Sequence, residues 1–558
     1  MNKPLIILYN PKKDEVGEIN SLPLSLLAIS AVIDPEKVDI KILEGALIDD
    51  LDSELSKYSD KNLLLAGVTA ITGPPLFDAL NFAKAFKRMA PDVPVVWGGT
   101  HPTIMPGGTL EDPHADFIVK GQGEIPFKML VESLLDGSSP EGIPGLAMKV
   151  NGELIDNPMD KPVNINEFPQ YPWHLVDIGK YVIPMESIGL KKRGIIYVTS
   201  QGCPFVCSFC SDIALYNRTW TAWPAERVLD DIKMLSQYDI GGIMFFDNNF
   251  FVNSKRVLEL CERLLEEKID LVWYADIRID QINKYTQEEL DLIKKAGGTT
   301  FLVGAESGDD STLDLVRKDI GAEDIREAAR KCKKSGINII YSFMTGFPEV
   351  YKEEFSATLT LIDELRQIDD ETRVILCTYA PYPGTELYEK HKDIVNIPDN
   401  LEDWGRYTQL NVNTNWMEKE HVDMIESCSN FYIDCALSTM NTWQNIKKAG
   451  EKNIFIRFAH KFFQSLAIFR LKHQFYKFRF EEKLVAIPIN IRRRLRNYLI
   501  KRRRRTTVRG DNVGAFSEEP FQRSSLGDMY KQNLAITGPL NTSPVKENAA
   551  SLASAEKD

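Results

Sequence analysis

The 558-residue chain is bounded first by what it lacks. It contains no run of eighteen or more apolar residues, so a membrane-spanning helix is excluded. Its eight cysteines, at 203, 207, 210, 261, 332, 377, 428 and 435, are far too sparse for a disulfide scaffold, and reduced thiols fit a cytosolic chain. The opening MNKPLIILYN lacks the longer apolar core and small-residue cleavage site of a secretory leader, so a cytoplasmic protein is expected. No G-x-G-x-x-G follows the first apolar run, which argues against a nicotinamide or flavin dinucleotide. Hydrophobic residues are 43% and charged residues 26% of the chain, so it is not disordered as a whole.

Negative charge is in excess, with a net −13, but it is unevenly spread. Residues 454–505 hold sixteen Lys or Arg against Glu481 and Glu482 alone, a local +14 that leaves −27 on the rest. An acidic body with one basic arm argues against a nucleic-acid binder and for one dedicated anionic contact.

Along 1–150, short apolar runs at Leu5–Tyr9, Val38–Leu43, Leu63–Thr69, Val93–Trp97 and Phe117–Val119 alternate with amphipathic stretches such as Leu76–Met89. That alternation predicts a parallel sheet wrapped by helices, a Rossmann-like, flavodoxin-like unit. Such sheets bind ligands at the carboxyl ends of their strands. The loops there include Thr69-Ala70-Ile71-Thr72-Gly73 and Gly98-Gly99-Thr100-His101-Pro102. Residues 151–190, rich in Pro and Asn, read as a linker. A second series covers 191–400, with strands at Gly194–Thr199, Gly242–Phe246, Leu271–Ala275, Thr300–Val303, Asn338–Phe343 and Arg373–Thr378. Helices are expected to start near Ala225, Ser254, Thr286, Ala322 and Lys352. Six β/α units predict a partial (β/α)6 barrel with its chemistry at the strand ends. A small helical region is expected at 401–453, the basic arm at 454–505, and a disordered tail at 506–558.

Cys203-Pro204-Phe205-Val206-Cys207-Ser208-Phe209-Cys210 carries the sharpest signal. Three thiolates this close on one strand-end loop can cap three corners of an iron–sulfur cube and leave one iron open. Zinc is the alternative, but a structural site wants four ligands and the loop offers no His or fourth Cys. Cys261, Cys332, Cys377, Cys428 and Cys435 read as core residues.

The C-x3-C-x2-C spacing, with Phe209 before the third Cys, resembles the radical S-adenosylmethionine enzymes. The resemblance implies a [4Fe–4S] cluster on Cys203, Cys207 and Cys210, with adenosylmethionine chelating the fourth iron and cleaved to a 5′-deoxyadenosyl radical. It extends over about 190–385. Asp247 and Asn248 would meet the methionine moiety, Glu306 and Ser307 the ribose and carboxylate, and Gly346 the next strand end. Each of these also has a plainer reading: Asp247 as a turn cap, Glu306 as a buried ion-pair member, and Gly346 and Gly384 as turn glycines.

A flavodoxin-like unit before such a barrel resembles the cobalamin-binding members, among them the anaerobic magnesium-protoporphyrin monomethyl ester cyclase and the hopanoid and phosphonate methylases. The implied cobalamin residues are Thr69, Thr72, Gly98, Gly99, Thr100, Gly121, Gly123 and Glu124. The D-x-H-x-x-G hallmark is absent: Asp14-Glu15-Val16-Gly17 holds no His, so cobalamin without a protein His on cobalt is expected, and His101 is read as a loop residue, with a substitute lower ligand as the alternative. The resemblance implies a small-molecule substrate and an electron donor such as flavodoxin or ferredoxin. C-methylation of an unactivated carbon leads; oxidative cyclisation or carbon–carbon coupling, and a non-enzymatic membrane-docked iron–sulfur sensor, are the rivals.

From Ile454 to Phe480, phenylalanines at mostly three- and four-residue spacing intersperse with Lys and Arg. That pattern reads as an interfacial helix on anionic lipid, with a packed C-terminal helix as the plain alternative. It suggests an apolar, lipid-like or tetrapyrrole-like substrate.

Overall fold

The computed structural model describes residues 3–12, 21–185, 193–407, 414–439, 441–476 and 479–482. The loop Asp14–Gly17, the arginines 492–494, the cluster 501–505 and the tail 506–558 lie outside them.

The first sheet has seven strands: β1 (Leu5–Asn10), β2 (Asp39–Glu44), β3 (Leu63–Thr69), β4 (Val95–Gly98), β5 (Phe117–Val119), β6 (Leu146–Val150) and β7 (Glu153–Asp156). Their order is β2-β1-β3-β4-β5-β6-β7. The first five pair in parallel, the flavodoxin-like order expected from the alternation. Strand β1 shows why: Ile7 and Tyr9 enter the core under helix Pro75–Met89, while Ile6 and Leu8 enter that under Leu24–Ala31 and Glu124–Asp136. A strand buried on both faces reads as a continuous apolar run. The antiparallel hairpin β6–β7 extends the sheet beyond the five expected strands and reaches into the stretch read as linker. Its strand β7 is mostly exposed, so period-2 burial gave no signal there.

The second sheet runs β16-β15-β14-β13-β12-β9-β8. Here β8 is Ile183–Pro184, β9 Arg193–Tyr197, β12 Gly242–Phe245, β13 Val272–Ile277, β14 Gly298–Glu306, β15 Asn338–Thr345 and β16 Arg373–Thr378. Six strands are parallel and β8 caps the edge antiparallel, so the barrel stays open. Helices Ala225–Ser236, Ser254–Glu266, Gln287–Lys295, Ala322–Ser335 and Tyr351–Ile368 return the chain between strands and bury one strand face, including Ile243, Trp273, Phe301 and Tyr341. The opposite face gathers Met185, Met244, Tyr274 and Ile340 into a separate apolar floor. Between β9 and β12, a small hairpin unseen in the sequence pattern, β10 (Ser200–Gly202) with β11 (Trp220–Ala222), brackets the three cysteines.

The two units are tied together. Trp404 and Tyr407 pack into the core of the first sheet, the Tyr181 hydroxyl donates to Glu44 at 2.9 Å, and Gln122 bonds both Val163 and Gln201. Beyond the barrel lie helices Lys419–Ser427, Ile433–Leu437 and Asn441–Lys452, and helix Ile454–His473 at the start of the basic arm.

Candidate active site where the two sheets meet

The cysteine loop is held from both sides. Gly202 ends β10 with φ +76°, and a Cβ there would lie 2.1 Å from the Thr219 carbonyl oxygen, so only glycine closes this hairpin. The Ser208 amide donates to the Val316 carbonyl at 3.0 Å and its hydroxyl to Leu315 at 3.1 Å. The Ser208 carbonyl in turn accepts from Leu387 at 2.8 Å. Phe209 packs against Val316, Phe347, Tyr379 and Leu387, so the aromatic before the third Cys anchors the loop. Cys207 is buried, while Cys203 and Cys210 are half-buried. Burial raises the Cys203 thiol and, with Asp212 nearby, pushes Cys210 up to about 12. Such thiols stay protonated until iron takes the place of the proton.

Among the described residues, no three His, Cys, Asp or Glu side chains converge on one metal ion. A cubane asks for something else, since each thiolate caps a different iron. Three disulfide-free cysteines on a pinned loop, one of them accepting from a guanidinium, fit a [4Fe–4S] cluster. That guanidinium belongs to Arg278, whose Nη1 donates to the Cys207 sulfur at 3.4 Å. The sequence reading missed Arg278; its position just past β13 was the available signal.

The expected strand-end residues divide into engaged and open groups. Asp247 is buried; one carboxylate oxygen accepts from the Thr199 amide at 3.0 Å, the Thr199 hydroxyl at 2.9 Å and the Ser200 hydroxyl. Its other oxygen has no partner, and burial raises its pKa. Asn248 donates to Asp212. Glu306 pairs with Lys318 at 2.6 Å, so its carboxylate is already held. The Ser307 hydroxyl accepts from the Asp309 amide at 3.1 Å and lies against Thr358, which makes it part of a turn rather than an open site group. Gly346, at φ +85°, donates to Glu354 at 2.8 Å and accepts from the Trp416 indole at 2.9 Å. Another residue missed in sequence is Asp276, on the same strand face as the apolar floor. One of its oxygens is unpartnered, and burial, with the Asp247 charge, pushes it up to about 8.

At the carboxyl ends of β3, β4 and β5 lies a cavity of about 260 Å³. Thr69, Gly98, Gly99, Thr100, Gly121, Gly123 and Glu124 all line it. The backbone is closely packed at two of its glycines: a Cβ on Gly99 would lie 2.7 Å from the Ala70 oxygen, and one on Gly121 2.9 Å from the Leu215 oxygen. Such a cradle fits an appendage of a large cofactor like cobalamin. Thr72 does not line it; its hydroxyl is 3.0 Å from His101 Nδ1. His101 is buried edge-on to Trp404, lies off the cavity wall, and is held neutral by burial, at about 4.

Gln201 and Tyr216 also line this cavity, and they flank the cysteine loop. A second cavity of about 220 Å³ shares Ser25, Glu124, Gln201 and Tyr216 and continues to Thr199, Ser200, Phe246 and Asn248 at the barrel mouth. The cradle in the first sheet thus shares Gln201 and Tyr216, which flank the cysteine loop in sequence, with a cavity that reaches Thr199 and Ser200, the two residues that hold Asp247.

The helix Ile454–His473 has two faces. His460, Ala467, Arg470 and Leu471 are buried against the body, where Arg470 forms an ion pair with Glu481. On the other side Phe455, Phe458, Phe462 and Phe469 are 81%, 66%, 61% and 50% exposed. The packed helix and the exposed Phe stripe are therefore both real. Among the described residues no helix is long and apolar enough to cross a membrane.

A family model described as the radical SAM superfamily matches residues 197–362, and one described as a B12 binding domain matches residues 20–131. An uncharacterized methyltransferase of Pyrococcus horikoshii is 32% identical over 396 residues, covering 70% of this chain and 82% of that one. The anaerobic magnesium-protoporphyrin IX monomethyl ester cyclase of Rubrivivax gelatinosus is 28% identical over 367 residues, 64% of each chain. In fold, the chain is similar to the radical S-adenosylmethionine methyltransferase TsrM of Kitasatospora setae, solved with cobalamin and a [4Fe–4S] cluster. The TM-score is 0.58 at 19% identity, over 71% of this chain and 80% of that one.

Proposed function

This chain belongs to the cobalamin-binding radical S-adenosylmethionine enzymes, and we propose that it methylates an unactivated carbon of an apolar, lipid-like or tetrapyrrole-like molecule. Its cofactors are a [4Fe–4S] cluster, S-adenosylmethionine and cobalamin. When bound, the cluster and S-adenosylmethionine supply a hydrogen-abstracting radical, and cobalamin a transferable methyl group. The observation that carries the reading is that the glycine-lined cradle and the cavity at the barrel mouth share Gln201 and Tyr216, the residues that flank the cysteine loop in sequence.

In this reading Cys203, Cys207 and Cys210 hold the cluster, and Asp247, with its free oxygen, receives a donor group of S-adenosylmethionine beside Asn248. The fixed Thr199 and Ser200 hydroxyls orient that carboxylate. Thr69, Gly98, Gly99, Thr100, Gly121, Gly123 and Glu124 would hold cobalamin. Phe246, exposed at the barrel mouth, and the aromatic wall of Tyr171, Tyr216 and Trp223 keep water from the reacting carbon. A flavodoxin or ferredoxin supplies electrons. The exposed Phe stripe, on a helix without a single acid, seats a cytoplasmic enzyme on an anionic membrane and brings it to apolar substrates.

Anaerobic reconstitution, followed by comparison of lipids and pigments from strains with and without the gene, tests the reading. A product heavier by one CH2 supports methylation. The cyclase relative favours the second reading, oxidative ring closure, and a product that has lost hydrogens and gained no carbon would establish it. Failure of the reconstituted protein to cleave S-adenosylmethionine would sink both.

A further inference from the structure

Arg278 stands where β13 ends, and it is almost wholly buried. Its guanidinium lies 3.8 Å above the ring of Phe205, which sits between the first two cysteines. Each nitrogen of the fork is committed. Nη1 donates to Cys207 Sγ at 3.4 Å, Nη2 to the Lys318 carbonyl at 2.5 Å, and Nε to Asp280 at 2.8 Å. The Arg278 amide donates to Gln281 at 3.2 Å, which fixes the backbone as well. Asp280 is shared with Lys284 at 2.9 Å, so it neutralises Arg278 only in part. A buried arginine aimed at one thiol, with its orientation set from three sides, is more than a packing residue. Arg presents its donors in a rigid plane, and here that plane is clamped between a ring, a carbonyl and a sulfur.

We propose that Arg278 is a positioning residue for the iron–sulfur cluster: through the Cys207 sulfur it raises the cluster's reduction potential. The inference rests on the assignment of the cluster to Cys203, Cys207 and Cys210. Reduction adds one negative charge to the cluster and its sulfurs. A fixed positive charge and a hydrogen bond at a ligating sulfur stabilise the reduced form more than the oxidised form. Asp280 acts in the opposite sense, because its carboxylate holds the guanidinium and offsets part of its charge.

The test is an anaerobic redox titration of the reconstituted full-length protein, followed by electron paramagnetic resonance, with iron and sulfide assays alongside. Arg278→Gln should keep its iron and shift the cluster to lower potential. Arg278→Lys, which keeps the charge and loses the fork, should shift it less in the same direction. Asp280→Asn should shift it upward. A role limited to holding the loop would lower iron content in all three and give no opposed shifts, and that result would overturn the proposal. So would unchanged potentials in Arg278→Gln and Asp280→Asn. If Arg278→Gln does not fold, the signs from Arg278→Lys and Asp280→Asn decide. Absence of a cluster in the unaltered protein would instead strike the cysteine assignment itself.

Discussion

Replacing Gly99 by Ala tests whether the cradle of the first sheet is built from backbone. Gly99 has φ +97° and ψ −169°, a region open essentially to glycine alone, at about 1–3 kcal/mol for any other residue. The added Cβ would also lie 2.7 Å from the Ala70 carbonyl oxygen and 3.0 Å from both the Ala70 nitrogen and Thr69 Oγ1. That backbone cannot simply yield, because the Ala70 amide donates to Gly98 at 2.8 Å and the Ala70 carbonyl accepts from His101 at 3.2 Å. Overpacking of this kind costs about 1–3 kcal/mol more. The sum, about 2–6 kcal/mol, divides between folding stability and the shape of the cavity. A third of the upper figure, spent on cavity shape, weakens cobalamin binding at least tenfold, since about 1.4 kcal/mol is a factor of ten.

Gly137→Ala is the matched control. Its φ is +76° but nothing lies within 4 Å of the new Cβ, and it ends helix Glu124–Asp136 on the surface. It should cost about 1 kcal/mol of stability and leave cobalamin binding alone. Absorbance titration with hydroxocobalamin, beside thermal unfolding of both variants, makes the comparison. If Gly99→Ala binds cobalamin with the unaltered Kd and unfolds with Gly137→Ala, the backbone-cradle argument is wrong.

Three further outcomes are expected. Cys203→Ala, Cys207→Ala and Cys210→Ala should each lose the brown absorbance and 5′-deoxyadenosine formation, whereas Cys261→Ala and Cys332→Ala, buried in the helix-side core, should keep full iron content. The triple change of Phe455, Phe458 and Phe462 to Ser should leave the fold intact, because those rings face outward, and abolish flotation with anionic liposomes; flotation equal to the unaltered protein would leave the stripe without a lipid role. Burial pushes the Glu354 carboxyl up to about 8, although it accepts from Thr345 and from Gly346 at 2.8 Å. A carboxyl with its folded pKa raised above its unfolded one binds more protons when folded, so its contribution is full below about 4.5 and is lost as pH rises toward 8. Thermal unfolding from pH 5 to pH 8 should therefore fall more steeply for the unaltered protein than for Glu354→Gln.

What the sequence made legible follows from how local each signal is. The parallel strands were visible because burial on both faces writes a run such as Ile6-Ile7-Leu8-Tyr9 into the chain. Thr286 was legible as a helix start because its hydroxyl and Glu289 cap the helix reciprocally within four residues. The cysteine loop was legible because one loop supplies all three thiols. Groups recruited across the fold left no such mark. Arg278 reaches Cys207 across 71 residues, Arg256 reaches Thr199 across 57, and Gln122 reaches Gln201 across 79. The Phe helix was legible on one side only. Periodicity showed that the helix has an apolar face, but its buried side carries His460 and Arg470, because Ser438 and Glu481 await them there.

Glu306 admits two readings, as a contact to S-adenosylmethionine or as half of a buried ion pair, and the local geometry separates them by experiment. Its φ is +58°, at the point where β14 and β15 slip register, a conformation that costs an L-residue about 1–2 kcal/mol unless its side chain is held. Lys318 holds it at 2.6 Å, both side chains being over nine-tenths buried. The pair fills the space above Gly304, where a Cβ would lie 2.7 Å from Lys318 Nζ. Burial alone would lower the Lys318 pKa, yet Glu306 beside it keeps the ammonium above its usual value. Removing one leaves the other uncompensated, at about 3–5 kcal/mol, whereas replacing both by groups of similar shape is close to neutral. Glu306→Gln should therefore lose about 3–5 kcal/mol of unfolding free energy in urea, and Glu306→Gln with Lys318→Met should recover most of it. A residue whose main work is to bind S-adenosylmethionine would behave the other way, with stability nearly unchanged, S-adenosylmethionine binding lost, and no recovery in the double variant.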